Sequence, residues 1–393
     1  MNKRKIEREC SNHNNRLRNV KHKGVFKADD FLNTIDGNIL VTGGTQNIRN
    51  DLLKKIILRS RQTNNQSIFV LSNNNKLRED LIALAENGSI GKLIVCSDEY
   101  KNYDVFCNMD SNLIADYFSI VALEKGYRDT SEIHDYIGAF LNILQTQATV
   151  ALSSMLSFSK NTDAMIAEIA INNGYVSEQE ILMSSGKGGT DFRRLLNVVY
   201  NAFCNLTTEE CSTKFNIITA IDTNCVTYIN TNSSNYELLS LYFMLELKQI
   251  MNKQFAVVFD DSSLLNNSKL LGFIDLLKQK SNVNTIISVP NIMSLPSEDK
   301  LKNFNKKIIF LKGEMPANDT QLVLNDLGSY SHFDSTSSQG TPPNLFFSFL
   351  KSENNGITQY SRAKILVEEE IDIDVVLQGH NSSEIIVAKR FVI

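Results

Sequence analysis

Short runs of β-branched and aliphatic residues alternate with longer stretches of helical spacing, and this alternation is the feature that most constrains the fold. A run that is apolar at every position suits a strand buried on both faces, as in a parallel sheet covered by helices. We therefore expect an α/β fold with a mostly parallel sheet flanked by helices. The predicted strands are Asn38–Thr42, Ser67–Leu71, Leu93–Cys96, Asn216–Ala220, Val226–Ile229, Phe255–Phe259, Thr285–Val289 and Lys307–Leu311.

The strand pattern stops between Asp116 and Leu206, where apolar residues recur at helical spacing. This change predicts an inserted all-helical domain. A length of 393 residues corresponds to two or three domains at about 150 residues each. The expected segments are a basic arm over 1–27, two parts of one α/β domain over 28–115 and 207–330, the helical insertion over 116–206, and a polar loop with a C-terminal strand extension over 331–393.

The N-terminal arm differs in charge from the rest of the chain. Residues 1–27 carry nine Lys or Arg against two Glu, a net charge of +7, so the other 366 residues account for −11 of the overall −4. Such an arm is expected to be disordered until it meets an acidic partner, and DNA is the partner that its charge favours. A solubilising tail is the alternative.

Cysteine usage and hydropathy indicate a reduced, soluble setting. The six cysteines form no Cys-x-x-Cys pair, which favours the cytoplasm. No apolar run reaches the ~18 residues that a transmembrane helix needs. The segment that comes nearest, Tyr136 to Phe158, is interrupted by polar residues and is interpreted as a buried helix.

A strand, a glycine turn and a helix follow one another from Asn38, where a nucleotide-binding P-loop would lie in an α/β chain. Aligning GxxxxGK[ST] from Gly43 places Ile48 at the second Gly, Arg49 at the Lys and Asn50 at the Ser or Thr. The length fits, but each substitution removes a part of the chemistry. Ile resists the backbone conformation that Gly allows, Arg is a planar fork instead of a compact charge, and a carboxamide is a poor substitute for a Mg²⁺-binding hydroxyl. The alternative is a plain strand–turn–helix with Asn50 as the N-cap.

Two carboxylates, Asp260 and Asp261, follow the apolar run that begins at Phe255. In P-loop enzymes the first acid at such a strand end holds the Mg²⁺ shell, and a following acid orients the attacking water. The alternative is that Asp261 or Ser262 caps a helix. A third segment, Ser184–Thr190, has the composition of a phosphate loop without a preceding strand. We interpret it as a flexible helix–helix loop, and a phosphate contact through Lys187 is the alternative.

The order of these segments resembles the TraG-type coupling ATPases of conjugation and type IV secretion, which are relatives of the FtsK and HerA motors. Asn38–Val41 corresponds to the family's Asn-Ile-Leu-Val before the P-loop, and Gly91–Val95 to a later strand. Phe106–Met109 is similar to the turn after that strand, and the stretch from Arg362 to Val387 to the closing strands. The resemblance covers roughly residues 23–393.

The resemblance implies a RecA-like P-loop NTPase fold that takes ATP and Mg²⁺. It places Gly43, Gly44, Thr45, Arg49 and Asn50 around the nucleotide, Asp260 at the metal and Asp261 in catalysis. The departures from the family pattern extend beyond the P-loop. Only Leu77 remains of the acidic motif after the second strand, and Pro290 stands where the family has a γ-phosphate-sensing Gln. We therefore expect ATP and Mg²⁺ only if the site is functional.

These departures predict a degenerate coupling-ATPase-like subunit, non-catalytic or weakly active, that acts as a binding or scaffold component of a conjugation, secretion or DNA-translocation apparatus. An active DNA-stimulated translocase is one alternative, with Arg193, Arg194 or Arg362 of a neighbouring subunit as an arginine finger. An α/β interaction domain without a nucleotide role is the other. The expected partners are DNA, proteins of the machinery, and further subunits in a homo- or hetero-oligomer such as a hexamer-like ring. The family's membrane-spanning N-terminal part has no counterpart, so we expect a cytoplasmic protein that reaches the inner membrane face through partners.

Overall fold

A computed structural model describes residues 20–32, 37–211, 215–291, 304–311, 329–333, 357–361, 375–378 and 385–393. The strands are β1 (Val20–Lys27), β2 (Ile39–Gly43), β3 (Ser67–Ser72), β4 (Leu93–Cys96), β5 (Val226–Asn230), β6 (Phe255–Asp260), β7 (Val283–Val289), β8 (Lys306–Phe310), β9 (Ser329–Phe333), β10 (Ile357–Ser361), β11 (Val375–Gln378) and β12 (Ile385–Val392). The α-helices are α1 (Ala28–Leu32), α2 (Gln46–Asn64), α3 (Asn75–Glu86), α4 (Ser111–Glu124), α5 (Ser131–Gln147), α6 (Leu152–Phe158), α7 (Asp163–Asn172), α8 (Val176–Ser184), α9 (Gly186–Phe203), α10 (Ile217–Ala220), α11 (Tyr236–Ile250), α12 (Ser262–Leu265) and α13 (Ser268–Lys278).

Ten of the described strands form one sheet in the order β1-β12-β11-β8-β2-β7-β6-β3-β5-β4, and β9 pairs with β10 separately. All neighbours from β8 to β4 are parallel. β11 pairs antiparallel with β8 and β12, while β1 is parallel to β12. The strands β2, β3 and β6 therefore end at one edge of the sheet, which we call the carboxyl edge, and β7 separates β2 from β6.

Each face of the sheet carries its own hydrophobic cluster. On one face α1, α2 and α3 pack against residues such as Val41, Val70 and Val258. On the other face the helices from α4 to α11 and α13 pack against residues such as Phe69 and Phe259. Because successive residues of a strand point to opposite faces, strands covered on both sides are apolar throughout, and this confirms the mostly parallel α/β fold read from the sequence.

The helical segment predicted over 116–206 corresponds to α4–α9. It shares one continuous hydrophobic cluster with the sheet, so that Phe118, Phe140 and Phe192 belong to the same core as Phe69. That this segment is a domain of its own stays a prediction, as do the other domain bounds. The segment from Tyr136 to Phe158 is divided between α5 and α6 instead of forming one helix.

Buried hydrogen bonds tie both ends of the helical segment to α11. Glu246 accepts the hydroxyl of Tyr103, before α4, and the backbone N–H of Ile217, after α9. Tyr242, one turn earlier in α11, accepts the N–H of Phe106 at 3.2 Å. Burial raises the pKa of Glu246 to about 8, although these donors partly offset the shift. Glu246 is thus a fully buried carboxyl group with both oxygens bonded.

Two sequence predictions are wrong here. Asn216–Ala220 was expected as a strand, but Ile217–Ala220 is helical because Asn216 and Thr219 cap the turn reciprocally through their side chains and backbone N–H groups. Residues 20–27, which we assigned to the disordered arm, form β1, because pairing with β12 satisfies their backbone groups. Residues 1–19 lie outside the described residues.

Candidate functional site

The connection from β2 to α2 is built on two glycines in left-handed conformations. Gly43 has φ +75° and Gly44 has φ +64°. A Cβ at Gly44 would lie 3.0 Å from the Cβ of Phe310 in the neighbouring strand β8. The tight turn and this close approach therefore require glycine without reference to a ligand.

Helix α2 begins five residues before the predicted N-cap, Asn50, would allow. Thr45 is its N-cap, with a hydroxyl that accepts the N–H of Ile48 at 3.5 Å, and Gln46 is the first helical residue. The alternative prediction of Asn50 as the N-cap is therefore wrong. Only Gly44 and Thr45 lie between the strand and the helix. Positions that a P-loop devotes to a phosphate cradle are here the first turn of a helix.

Arg49 occupies the inner side of this turn. Its side chain is buried, and Nη1 donates to the carbonyl oxygens of Gly43 at 3.1 Å and Gly44 at 2.9 Å. The guanidinium thus neutralises carbonyl dipoles of the glycine turn. A Lys ammonium in a P-loop would instead extend toward phosphate oxygens.

Asn50 points toward the end of β3. Its Oδ1 accepts Nδ2 of Asn74 at 2.6 Å, and Asn74 in turn caps α3 by accepting the N–H groups of Lys76 and Leu77. Asn50 is only 1% exposed, and its Nδ2 has no hydrogen-bond partner. The position that holds a Mg²⁺-binding hydroxyl in a P-loop is therefore committed to an amide–amide contact.

Asp260 lies at the carboxyl edge, as predicted. Ser72 on β3 is its register partner and donates its hydroxyl to Oδ2 at 3.0 Å. Burial raises the pKa of Asp260 to about 6, and the nearby hydroxyls of Ser288 and Ser72 and the charge of Arg49 partly offset that shift. Asp260 and the P-loop position are thus brought together on the face of the sheet that α2 and α3 cover.

Asp261 faces the other side of β6. Its Oδ1 accepts the N–H of Ser263 at 2.9 Å as the N-cap of α12, and its Oδ2 accepts the hydroxyl of Thr231. These bonds confirm the capping interpretation of the sequence. A role for Asp261 with an attacking water stays a prediction, since both carboxylate oxygens already have donors.

The other candidate residues lie elsewhere. Pro290 follows β7 at the carboxyl edge and offers no side-chain donor there. Ser184–Thr190 is not a flexible loop, because α9 begins at Gly186, and Lys187 lies in its first turn. Arg193 is held by the carbonyls of Ser159 and Asn161 and by Asp163 at 2.6 Å.

Arg194 is 71% exposed in its side chain and lies 3.6 Å from Asp191, so it differs sharply from Arg193. Arg362 lies outside the described residues. Of the arginines proposed as a finger, only Arg194 is thus described on a free surface.

Sequence reasoning missed Ser72 and Asn74 as members of the site. Both lie in the segment Ser72–Leu77, where only the loss of the family motif was noted. Asn74 precedes a helix and so fits an N-cap. Its position, two residues past the end of β3, could have indicated its contact with Asn50.

The described residues lack two further features. No group of three or more His, Cys, Asp or Glu side chains there could hold a metal ion. No helix among those residues has the length and hydropathy needed to cross a bilayer.

No protein-family model matches the sequence, and the search of curated proteins likewise gives no match. Solved structures do match. The bacterial conjugative coupling protein TrwBΔN70, in its unbound monoclinic form, is 14% identical with a TM-score of 0.51, over 89% of this chain and 83% of that chain. TrwB in complex with ADP and Mg²⁺ is 11% identical (TM-score 0.51), and TrwB with the non-hydrolysable ATP analogue ADPNP is 12% identical (TM-score 0.52), each over 89% of this chain and 84% of the other. The chain therefore shares the fold of these TrwB structures, a mostly parallel α/β sheet flanked by helices.

Proposed function

We propose that this chain is a degenerate coupling-ATPase-like subunit that acts as a binding or scaffold component of a conjugation, type IV secretion or DNA-translocation apparatus. The fold likeness to TrwB supports the first half of the proposal. The hydrogen bonds that the Arg49 guanidinium donates to the carbonyls of Gly43 and Gly44 support the other part, that the subunit is degenerate.

The residues at the carboxyl edge do not fit a Mg²⁺–triphosphate. Mg²⁺ prefers oxygen ligands in strict octahedral geometry, yet the Asn50 oxygen already accepts a bond from Asn74. A triphosphate would also need Arg49 to leave the carbonyls that it neutralises. Asp260 alone keeps the chemistry of a metal ligand, so we derive no hydrolytic step for this chain.

Calorimetric titration of the full chain with ATP, with and without Mg²⁺, tests the proposal. We expect no binding tighter than about 1 mM, which corresponds to about −4 kcal/mol. A variant that restores the P-loop pattern, I48G/R49K/N50T, should bind at least tenfold more tightly, and Ile48→Gly alone should not. Wild-type binding tighter than about 10 μM that Arg49→Ala weakens would overturn the proposal.

DNA-stimulated hydrolysis of ATP is the second candidate function. The position of Asp260 beside Arg49 and Ser72 is the observation that favours it. In that case DNA should stimulate phosphate release, and Asp260→Asn should abolish it. Arg194→Ala should then lower the rate in an oligomer, while Arg193 is excluded by its own hydrogen bonds. Absence of DNA-stimulated release in wild type would remove this candidate.

We further propose that the basic residues before β1 bind DNA in the cytoplasm and that the subunit joins partners in a ring-like assembly at the inner membrane face. Neutralising phosphates releases counterions, so binding should weaken steeply with salt. Deleting residues 1–19 should reduce both the affinity and the salt slope, measured by fluorescence anisotropy on a DNA duplex. If the affinity and the salt slope both stay unchanged, residues 1–19 are only a solubilising tail.

A further inference from the structure

The hairpin of α7 and α8 exposes large apolar side chains on its outer surface. The exposed fractions are 52% for Met165, 55% for Ile171, 36% for Tyr175, 58% for Val176 and 56% for Met183. We call these five residues the hairpin surface. Singly scattered apolar residues are ordinary on a protein surface, but five within one short hairpin indicate a binding surface.

The inner side of the same hairpin is apolar as well. Ile166 and Ala170 of α7 and Leu182 of α8 are buried in the main core. An ordinary surface helix has one apolar face and one polar face. Helix α8 instead has apolar residues on both sides, which is typical of a helix that is covered on both sides.

The tip of the hairpin has a fixed conformation. Gly174 adopts φ +82°, and the N–H of Tyr175 donates to the carbonyl of Ala170 at 2.9 Å. Asn173 Nδ2 donates to the carbonyl of Ile169 at 2.7 Å. The hydrogen-bonded turn therefore holds Ile171, Tyr175 and Val176 outward without the entropy cost of ordering a loop on binding.

The charges on the hairpin itself have one sign. Residues 161–186 contain four acids, Asp163, Glu168, Glu178 and Glu180, and no Lys, Arg or His. Asp163 pairs with Arg193, and Glu178 accepts hydrogen bonds from Asn142 and Ser177. Glu168 and Glu180 are exposed and form no ion pair among the described residues.

Three exposed side chains of α8 lie in one line along the helix. Val176, Glu180 and Met183 stand at positions i, i+4 and i+7, so they form one stripe along the helix. In this stripe an acid lies between two apolar contacts. A helix that packs along it would match the stripe with apolar side chains on either side of a Lys or Arg.

We propose that the hairpin surface docks an amphipathic helix of another protein whose apolar face is flanked by Lys or Arg. Nucleic acid and anionic lipid are disfavoured because they would meet Glu168 and Glu180 with like charge. A second copy of this hairpin would oppose acid to acid in the same way. Met165 and Met183 add flexible side chains that adapt to a partner. The inference does not depend on the nucleotide site.

A synthetic peptide tests the proposal on the full chain. The probe is a labelled 18-residue helix of Leu and Lys, with Leu at helical spacing, and the comparison peptide carries Glu in place of every Lys. We expect the Leu/Lys peptide to bind at least tenfold more tightly by fluorescence anisotropy at about 150 mM salt, a concentration that screens distant charges. V176S/M183S should weaken that binding at least tenfold, and Glu180→Lys at least fivefold.

Matched variants elsewhere control for general stickiness. Leu276→Ser removes an exposed apolar side chain on α13, and Glu86→Lys reverses an exposed acid on α3. Both should leave the affinity within twofold of wild type. The proposal fails if these controls weaken binding as much as the hairpin variants do, or if the Leu/Glu peptide binds equally well. It also fails if V176S/M183S dissociates a wild-type dimer in sedimentation and does not change peptide binding, since the surface would then pair with itself.

Discussion

Glu246 is fully buried and Asp260 is half-buried at a strand end, and burial raises the pKa of both carboxyl groups, but their hydrogen-bond partners differ. Around Glu246 each oxygen has a donor, Tyr103 or Ile217, and the bonds join three segments of chain. Around Asp260 the partners are short polar side chains at strand ends, and the neighbouring Asn50 keeps a buried amide group without a partner. Buried polar groups in native structures are usually satisfied, so an unsatisfied one calls for an explanation.

The network at Glu246 closes its hydrogen bonds, whereas the group of side chains at the carboxyl edge does not. At that edge Asp260 lies at the strand end, Arg49 donates to the carbonyls of the glycine turn, and Asn74 donates to Asn50. The two regions should therefore respond differently to substitution.

Removing Glu246 should have the largest effect. Glu246→Ala leaves the hydroxyl of Tyr103 without its acceptor, leaves the N–H of Ile217 with only the Tyr103 hydroxyl at 3.4 Å, and opens a cavity in the core. We expect a loss of about 3 to 5 kcal/mol in the free energy of unfolding, measured by urea denaturation. Glu246→Gln keeps an oxygen and should lose less than about 1 kcal/mol at pH 6. A loss below about 1 kcal/mol for Glu246→Ala would contradict a structural role.

The pH dependence of stability should report the same carboxyl. Its folded pKa of about 8 lies above the ordinary value of 4.5, so the folded chain binds the extra proton between these values. The stabilisation is complete below pH 4.5 and is lost as the pH rises through 8. Wild type should lose about 2 kcal/mol or more relative to Glu246→Gln between pH 5 and pH 8.5. Parallel pH curves would contradict the raised pKa.

Neutralising Asp260 should change the free energy of unfolding by less than Glu246→Ala does, and in the opposite direction. Its folded pKa of about 6 exceeds the ordinary value of 3.8, so its contribution is full below pH 3.8 and is lost as the pH rises through 6. Asp260→Asn should therefore gain about 2 to 3 kcal/mol at pH 7.5, with no gain near pH 3.5. Thermal unfolding of wild type and Asp260→Asn at the two pH values measures this gain in stability. Destabilisation at pH 7.5 would mean that the carboxylate is part of a closed network like that of Glu246.

Changing Asn50 should have the smallest effect. Asn50→Leu removes a buried donor that has no partner and at the same time leaves Nδ2 of Asn74 without its acceptor. Each buried unsatisfied group costs about 1 kcal/mol, so the two changes nearly cancel. We expect unfolding within about 0.5 kcal/mol of wild type. A loss above about 2 kcal/mol would show that Asn50 is structurally essential.

The sequence predicted the architecture well because strands buried on both faces leave a continuous apolar pattern. Phe255–Phe259 and Ser67–Leu71 are examples. Asn216–Ala220 has the same composition, but its Asn and Thr satisfy the ends of a helical turn, and local capping decides such short segments. The pairing of β1 with β12 could not be read at all, because its two members lie at far ends of the chain.

The site was predicted by position but not by contacts. The strand ends placed Asp260 and the glycine turn at one edge, and the prediction that Arg49 and Asn50 do not suit a P-loop rests on their chemistry. The early start of α2 was missed, although Thr45 is a good N-cap. Glu246 was missed too, yet it shares the helical spacing of Leu239, Tyr242 and Ile250, and an acid on such a face signals a buried network.

The pairing of Val20 with Ile385 places nearly the whole chain between two neighbouring strands. During synthesis on a ribosome, β1 emerges first among the described strands and its partner last. The sequence of β1, VKHKGVFK, contains three lysines, a residue type that disfavours edge-to-edge association of unpaired strands. Completion of this border of the sheet therefore waits until residues 385–392 have been synthesised, and a nascent chain stalled before residue 385 would lack it.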